Sequence, residues 1–108
     1  MSKFVNCTDH IIRFNDGTVI EPSGSVSRTS PEFELIGEVN SIPEYRQRYG
    51  STIGLPRPEK GTIYIVSQSS LKAAKQFGRK DCRAPSTMHP ETVRDEDGKV
   101  ISVSGLIK

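Results

Sequence analysis

Hydrophobic and polar residues alternate in short runs along most of the chain, and this pattern favours short strands over long helices. In HIIRFNDGTVIEP, two β-leaning runs flank Asn15-Asp16-Gly17, and Asn or Asp followed by Gly is a strong hairpin signal because these residues tolerate the positive φ of a tight turn. Residues 26–30 (VSRTS) predict a further short strand. The tail, ETVRDEDGKVISVSGLIK, predicts a second hairpin that turns at Asp97-Gly98, with core contacts from Val100, Val103 and Leu106.

The middle of the chain predicts two more strands. FELIGEV indicates either a strand with Gly37 as a bulge or an irregular crossing, and PEYRQRYG alternates without a helical stripe. The following GLPRPEKG (residues 54–61) has two prolines and two glycines in eight residues and therefore predicts a loop.

The segment YIVSQSSLKAAKQFGRKD, from Tyr64 to Asp81, combines a strand with a helix. TIYIVS has an unbroken apolar centre, which indicates a strand buried on both faces. Residues 67–77 predict a helix with Ser67 as N-cap and Gly78 at the C′ position, and its apolar face consists of Leu71, Ala74 and Phe77. The pattern as a whole predicts one α+β, mainly-β domain over residues 1–108: a small antiparallel or mixed sheet of five to seven short strands with one helix packed on it.

The composition of the chain limits the kinds of function that the protein can have. With 15 Lys+Arg against 13 Asp+Glu, the net charge of +2 is too small for a protein that binds duplex nucleic acid. Hydrophobic residues make up 33% of the chain, so we expect a subunit interface to complete a small core. The sequence has no signal-peptide pattern and no apolar run that could cross a membrane, so we expect a cytoplasmic protein whose Cys7 and Cys82 are reduced.

The predicted helix start is a candidate anion site. A helix N-terminus offers free N–H groups and the positive end of a dipole, and Ser67, Ser69 and Ser70 add hydroxyl groups, although serines also cap helices that bind nothing. Arg79, Lys80 and Asp81 follow the C-terminal end of the predicted helix, which lies about 15 Å from its N-terminus at 1.5 Å per residue. One phosphate cannot contact both ends, whereas a larger ligand or two chains could.

The segment YRQRY (residues 45–49) is a second candidate. In a strand, Tyr45 and Tyr49 share one face while Arg46 and Arg48 share the other. The tyrosines then serve either as core residues or as a stacking surface for bases, and the arginines are either solvated or paired with phosphates.

Metal and catalytic sites are weakly supported. Cys7-x-x-His10 and Cys82-x6-His89 supply zinc-type ligands, but the spacing is irregular and no knuckle contains a second cysteine, so we expect no metal and no cofactor. Nucleophile elbows, phosphate-binding Walker loops and paired carboxylates are absent from the sequence, so we expect no enzyme.

Several motifs, taken in order, resemble a widespread family of small proteins from bacteriophages and from bacterial, often actinobacterial, genomes. They are VNCTDH, PSG followed by Arg28, RYG, GLPRPEKGTIYIVS, RKDCRAP and VRDEDGKVI, and they cover Val5 to about Ile101. The motifs are weak singly and distinctive as an ordered set. Asp9 stands where proline is common in the family.

Through this resemblance the chain is similar to phage anti-CBASS sponges, immune-evasion proteins that bind cyclic nucleotide signals of antiviral defence without degrading them. The resemblance implies a homo-oligomer, with a tetramer as the expected state, and cyclic dinucleotides held in shared pockets in the host cytoplasm. Asp81 would accept hydrogen bonds from a guanine edge, and Lys80 is added on charge alone. The ligand-binding residues implied are Thr8, His10, Arg28, Arg48, Tyr49, Ser67, Arg79, Lys80 and Asp81.

Two alternatives stay open from the sequence. One is an interaction module that binds a host or phage protein through a sheet edge or through the PEYRQRYG face. The other is a small enzyme that degrades nucleotide signals.

Overall fold

The computed structural model describes residues 3–108, which form ten strands and one helix. In chain order these are β1 (Lys3–Asn6), β2 (Ile12–Arg13), β3 (Val19–Ile20), β4 (Pro31–Val39), β5 (Ile42–Tyr49), β6 (Thr62–Ile65), α1 (Gln68–Gln76), β7 (Cys82–Pro85), β8 (Val93–Arg94), β9 (Val100–Ser102) and β10 (Leu106–Ile107). The α+β, mainly-β class is confirmed. The strands outnumber the expected five to seven because several are two-residue pairings in separate hairpins.

A four-stranded mixed sheet forms the centre, in the order β1-β6-β7-β10. Strand β6 runs parallel to both β1 and β7, and β10 closes one edge antiparallel to β7. As its apolar centre predicts, β6 is buried from both sides: Tyr64 belongs to the cluster under α1, and Ile65 packs against Ile12 and Val103 on the opposite face.

Helix α1 connects β6 to β7 and covers one face of the central sheet. Ser67 is its N-cap, with its Oγ accepting a hydrogen bond from the Ser70 backbone N–H. Gly78 follows the Phe77 C-cap with φ +81°, a conformation that favours glycine. Burying Leu71 and Ala74 fixes the helix on the sheet.

Both predicted hairpins are present. Strands β2 and β3 pair around Gly17, and β8 and β9 pair around Gly98. Strands β4 and β5, predicted as strands without a stated pairing, form a longer hairpin whose register shifts between Leu35 and Gly37, as the bulge predicts. Its two-residue turn places Asn40 and Ser41 at φ 50° and 66°, the positive values that a tight hairpin turn requires.

Three local expectations are wrong. Phe77 is exposed, because it lies at the C-cap beyond the edge of the sheet, and Val100 is exposed at the start of a two-stranded ribbon. Segment 26–30 forms no strand; it contributes a single bridge between Arg28 and Ile53. The other core contacts of the tail are confirmed, since Val103 is buried and Leu106 packs against it.

The β4–β5 hairpin (residues 31–49, hereafter the arm) projects from the domain. Every residue of β4 is exposed, and the molecule extends over 51 × 38 × 20 Å. The radius of gyration of the molecule is 16.2 Å, whereas a compact chain of this length has a value of about 13 Å. Within residues 3–108, no helix has the length and apolar character needed to span a bilayer.

Candidate functional site

A cavity of about 440 Å³ opens where the parallel strands of the central sheet end. Because β1, β6 and β7 run in the same direction, the segments that follow them meet at one edge, the usual position of ligand sites in parallel sheets. The lining comes from four parts of the chain: residues 7–10, 26–29, 67–70, and Pro85 with Thr87. The volume suits a small ligand.

A buried asparagine shapes the first of these segments. The Oδ1 of Asn6 accepts hydrogen bonds from the backbone N–H and the hydroxyl of Thr8, at 2.9 and 2.6 Å. Its Nδ2 donates to the carbonyl oxygens of His10 and Ile20. Asn6 therefore folds residues 6–10 into a turn that presents His10 to the cavity, while Thr8 is buried and holds that turn together.

The N-terminus of α1 forms the opposite wall. The side chains of Ser67 and Ser69 lie 3.3 Å apart, and the first turn contains no acidic residue. The backbone N–H groups of Gln68 and Ser69 have no partner within the helix, because the first turn has no preceding carbonyls. This wall is therefore a set of donors at the positive end of the helix dipole.

Ser27 supplies an unsatisfied hydroxyl in the lining. It is 6% exposed, and across residues 3–108 its Oγ is the buried side-chain oxygen or nitrogen without a hydrogen-bond partner. Its backbone is fixed, since its N–H donates to the Cys7 carbonyl and its carbonyl accepts from the Ser70 hydroxyl. A buried hydroxyl without a partner costs stability, so water or a ligand in the cavity would supply the partner of Ser27.

Arg28 adds a cation at the rim. Two backbone hydrogen bonds of 2.8 Å with Ile53 fix its main chain, while the guanidinium makes no hydrogen bond or ion pair with any of residues 3–108. The field of Arg28 contributes, after larger effects, to the lowered pKa of Asp9. An unpaired guanidinium beside a helix N-terminus favours an anion.

Asp9 and His10 form an exposed pair in the same lining, with 3.0 Å between Oδ1 of Asp9 and Nδ1 of His10. This hydrogen bond is the main reason that the pKa of Asp9 lies below its ordinary value. Because Nδ1 is engaged, Nε2 is the ring nitrogen of His10 that can contact a ligand.

A second, smaller cavity of about 220 Å³ adjoins the first. His10, Pro85 and Thr87 belong to both linings and form the wall between them. The remaining lining includes the exposed apolar side chains of Ile11, Val100 and Ile101. That lining also includes Arg13 and Ser102, so both cavities combine polar and apolar side chains.

The structure separates the other candidates from this cavity. Arg79 forms two 2.9 Å bonds to the two carboxylate oxygens of Asp81 and donates to the Pro56 carbonyl, and its guanidinium lies 5.8 Å from the centre of the Tyr64 ring. Desolvation opposes the charge of Asp81, but the hydrogen bond from Arg79 outweighs it and lowers the pKa. This pair ties the end of α1 to the 54–61 loop. Lys80 is exposed beside it.

Arg48 and Tyr49 lie on the arm, outside both cavity linings. Arg48 is paired with Glu34 at 3.2 Å across the hairpin. The interpretation of the tyrosines as core residues is wrong for Tyr45, which is exposed, because no layer covers the arm. Of the nine predicted site residues, the cavity brings together Thr8, His10, Arg28 and Ser67.

Sequence reasoning missed Asn6, Asp9 and Ser27. The spacing Asn6-x-Thr8 is a signal for an asparagine that bonds its own backbone two residues on, and it could have identified the turn. Nothing local indicates Ser27, whose role depends on contacts with distant segments.

The cysteines and histidines do not converge on a metal site. Cys7 and Cys82 are free and buried, both histidines are exposed, and residues 3–108 contain no cluster of three metal-type ligands. Burial raises the pKa of both thiols, that of Cys82 to about 11.

Comparison with known proteins gives no relative: the chain matches no model of a protein family, no curated protein and no solved structure.

Proposed function

We propose that this protein binds and sequesters a cyclic di- or oligonucleotide signal, as a viral immune-evasion protein of the sponge type that its motifs resemble. The observation that carries the proposal is the donor-rich cavity at the α1 N-terminus, where the guanidinium of Arg28 and the hydroxyl of Ser27 have no partner within residues 3–108. These groups suit a phosphodiester, which presents charged acceptor oxygens and no donors.

The adjoining cavity, with Ile11, Val100 and Ile101 in its lining, supports a nucleotide over a simple anion. A phosphate bound at Arg28 and the helix N-terminus would bring its attached nucleoside to the wall formed by His10. The side chains of Ile11 and Ile101 beyond that wall offer an apolar surface on which a flat base can pack. A ligand with two phosphates and two bases could be shared between such cavities of two chains, which fits a homo-oligomer, with a tetramer as the expected state.

The test is a mix-and-release assay. Purified protein is incubated with a panel of cyclic di- and trinucleotides and filtered, the retained fraction is denatured by heat, and both fractions are separated by chromatography. We expect one nucleotide to be depleted from the filtrate and recovered intact. If nothing is depleted at protein concentrations of tens of micromolar, the nucleotide proposal is wrong.

An enzyme that degrades such signals is the second candidate, and the Asp9–His10 pair favours it. A histidine oriented by a carboxylate can act as a general base through its free nitrogen. In the same assay, an enzyme would release a product that accumulates with time, and His10→Gln would stop its formation. The sponge instead returns intact ligand at every time point.

A further inference from the structure

The arm is an amphipathic ribbon with one apolar and one charged face. Directly opposed residues of an antiparallel pair lie on the same face, so the register assigns the faces. The apolar face carries the pairs Pro31–Tyr49, Phe33–Gln47 and Leu35–Tyr45, and the charged face carries Glu32–Arg48 and Glu34–Arg46.

The apolar face is uncovered. Phe33, Leu35 and Tyr45 are 63%, 62% and 58% exposed, and the rings of Phe33 and Tyr45 touch edge to face with centroids 6.3 Å apart. Val39 and Ile42 are also exposed, but they oppose each other beside the turn on the other face, which they share with Glu44. Away from the turn, the charged face needs no cover, since its charges are solvated or paired.

A two-stranded ribbon of this kind is marginally stable alone in water, so the arm needs another surface to pack on. The chain has an accessible surface of 7575 Å², whereas a compact protein of 11.9 kDa exposes about 5,900 Å². The excess of about 1,600 Å² per chain is of the size that permanent dimers bury.

We propose that the apolar faces of two arms pack on each other, so that the partner of the arm is a second copy of this chain. A large, permanently exposed apolar face requires a partner that is present whenever the chain folds, and another copy satisfies this condition. The contact is symmetric, with each Leu35 and Tyr45 packing on the partner arm and the charged faces turned to solvent. This inference specifies the oligomer interface of the proposed function but does not depend on the ligand.

The test measures molar mass by light scattering during gel filtration, without nucleotide. We expect the wild type to elute at a multiple of 11.9 kDa and Leu35→Lys to elute as a monomer. The matched control is Glu44→Lys, which adds a lysine to the charged face of the same hairpin and should retain the assembly. A monomeric wild type, or an assembly that survives both Leu35→Lys and Phe33→Lys, overturns the proposal.

A second measurement covers the case in which Leu35→Lys destabilises the arm. Because both native cysteines are buried, an added surface thiol reacts selectively. Leu35→Cys should form a disulfide-linked dimer under mild oxidation, and Glu44→Cys should not. Equal cross-linking of both variants, or co-purification of the wild type with a different protein in fixed ratio and no self-association, contradicts the inference.

Pocket variants separate this result from the proposed function. Arg28→Ala should lose nucleotide and keep the assembly, because Arg28 lies outside the arm. Failure of nucleotide binding in the intact oligomer would leave the arm contact standing.

Discussion

The side-chain amide of Gln76 makes two hydrogen bonds to the backbone of Tyr49. Its Oε1 accepts from the Tyr49 N–H at 3.1 Å, and its Nε2 donates to the Tyr49 carbonyl at 2.8 Å. The end of α1 therefore holds the base of the arm as a neighbouring strand would. Together with the backbone hydrogen bond from Gly50 N–H to the Ser30 carbonyl, it sets the direction in which the arm leaves the domain.

Replacing Gln76 by alanine should loosen that attachment. Two exposed hydrogen bonds are lost, for which we expect a cost of about 1 kcal/mol and a fall in Tm of about 4–8 °C. Thermal unfolding followed by circular dichroism measures the change. Gln68→Ala is the control, because its side chain bonds only to the Thr87 hydroxyl, at 3.3 Å, and its loss should lower Tm less.

Arg28→Ala should weaken retention of the nucleotide that the panel identifies. Loss of one charge-assisted contact costs about 1.5–3 kcal/mol, or roughly tenfold to a hundredfold in Kd. Titration calorimetry measures the affinity. Arg57→Ala, which removes an exposed arginine outside the cavity, should leave Kd unchanged; equal losses in both variants would indicate attraction by overall charge instead of a site.

Ser27→Ala should separate stability from binding. Removing a buried hydroxyl that has no partner should leave the free energy of unfolding unchanged or raise it by up to about 1 kcal/mol, while ligand affinity falls. Ser86→Ala is the matched control, since the Ser86 hydroxyl accepts from the Gly105 N–H and contacts Ser104, so its loss should destabilise the protein. Urea unfolding with and without ligand distinguishes the two effects. A marked destabilisation by Ser27→Ala alone would show that its hydroxyl has an internal partner.

Asp81→Asn should destabilise the protein by about 2 kcal/mol at neutral pH, because Arg79 loses a charged partner that is largely shielded from water. The folded pKa of Asp81 is lowered, so its contribution is present above the unfolded pKa near 4 and is lost as pH falls through the folded value. The difference in the free energy of unfolding between wild type and Asp81→Asn should therefore shrink below about pH 4. Urea unfolding over pH 2–7 measures this difference. A difference that does not depend on pH would show that the charge of Asp81 does not contribute to stability.

The two thiols should react slowly with Ellman's reagent at pH 8 in the folded protein. Both are buried with raised pKa values, about 11 for Cys82, and the thiolate is the reactive form. Reaction should become fast in denaturant. A fast phase in the native state for either thiol would reveal local opening around α1.

Local signals in the sequence were sufficient to predict the helix and the hairpins that turn at Gly17 and Gly98. The Ser67 cap, the Gly78 stop and the Asn-Asp-Gly turn each act through their own backbone, so a single sequence reveals them. The bulge at Gly37 belongs to the same class.

Only part of the candidate site could be predicted from the sequence. Ser67 could be identified because a helix start is a local feature, and Thr8, His10 and Arg28 followed from their motifs. Arg79 and Asp81 were assigned to a ligand through the RKD motif, and their mutual bonds are not visible in the sequence. The exposure of Tyr45 depends on what lies above the strand, which periodicity does not specify.

The lining of the first cavity joins four segments that are far apart along the chain. Backbone bonds from Ser27 N–H to Cys7, from Cys7 N–H to Ile65 and from Val66 N–H to Arg83 connect these segments beneath it. A bound ligand would thus hold together parts of the sheet that are distant in sequence. For exchange through an opening that also releases the ligand, occupancy would slow hydrogen exchange at all three amides by a common factor of 1 + [L]/Kd.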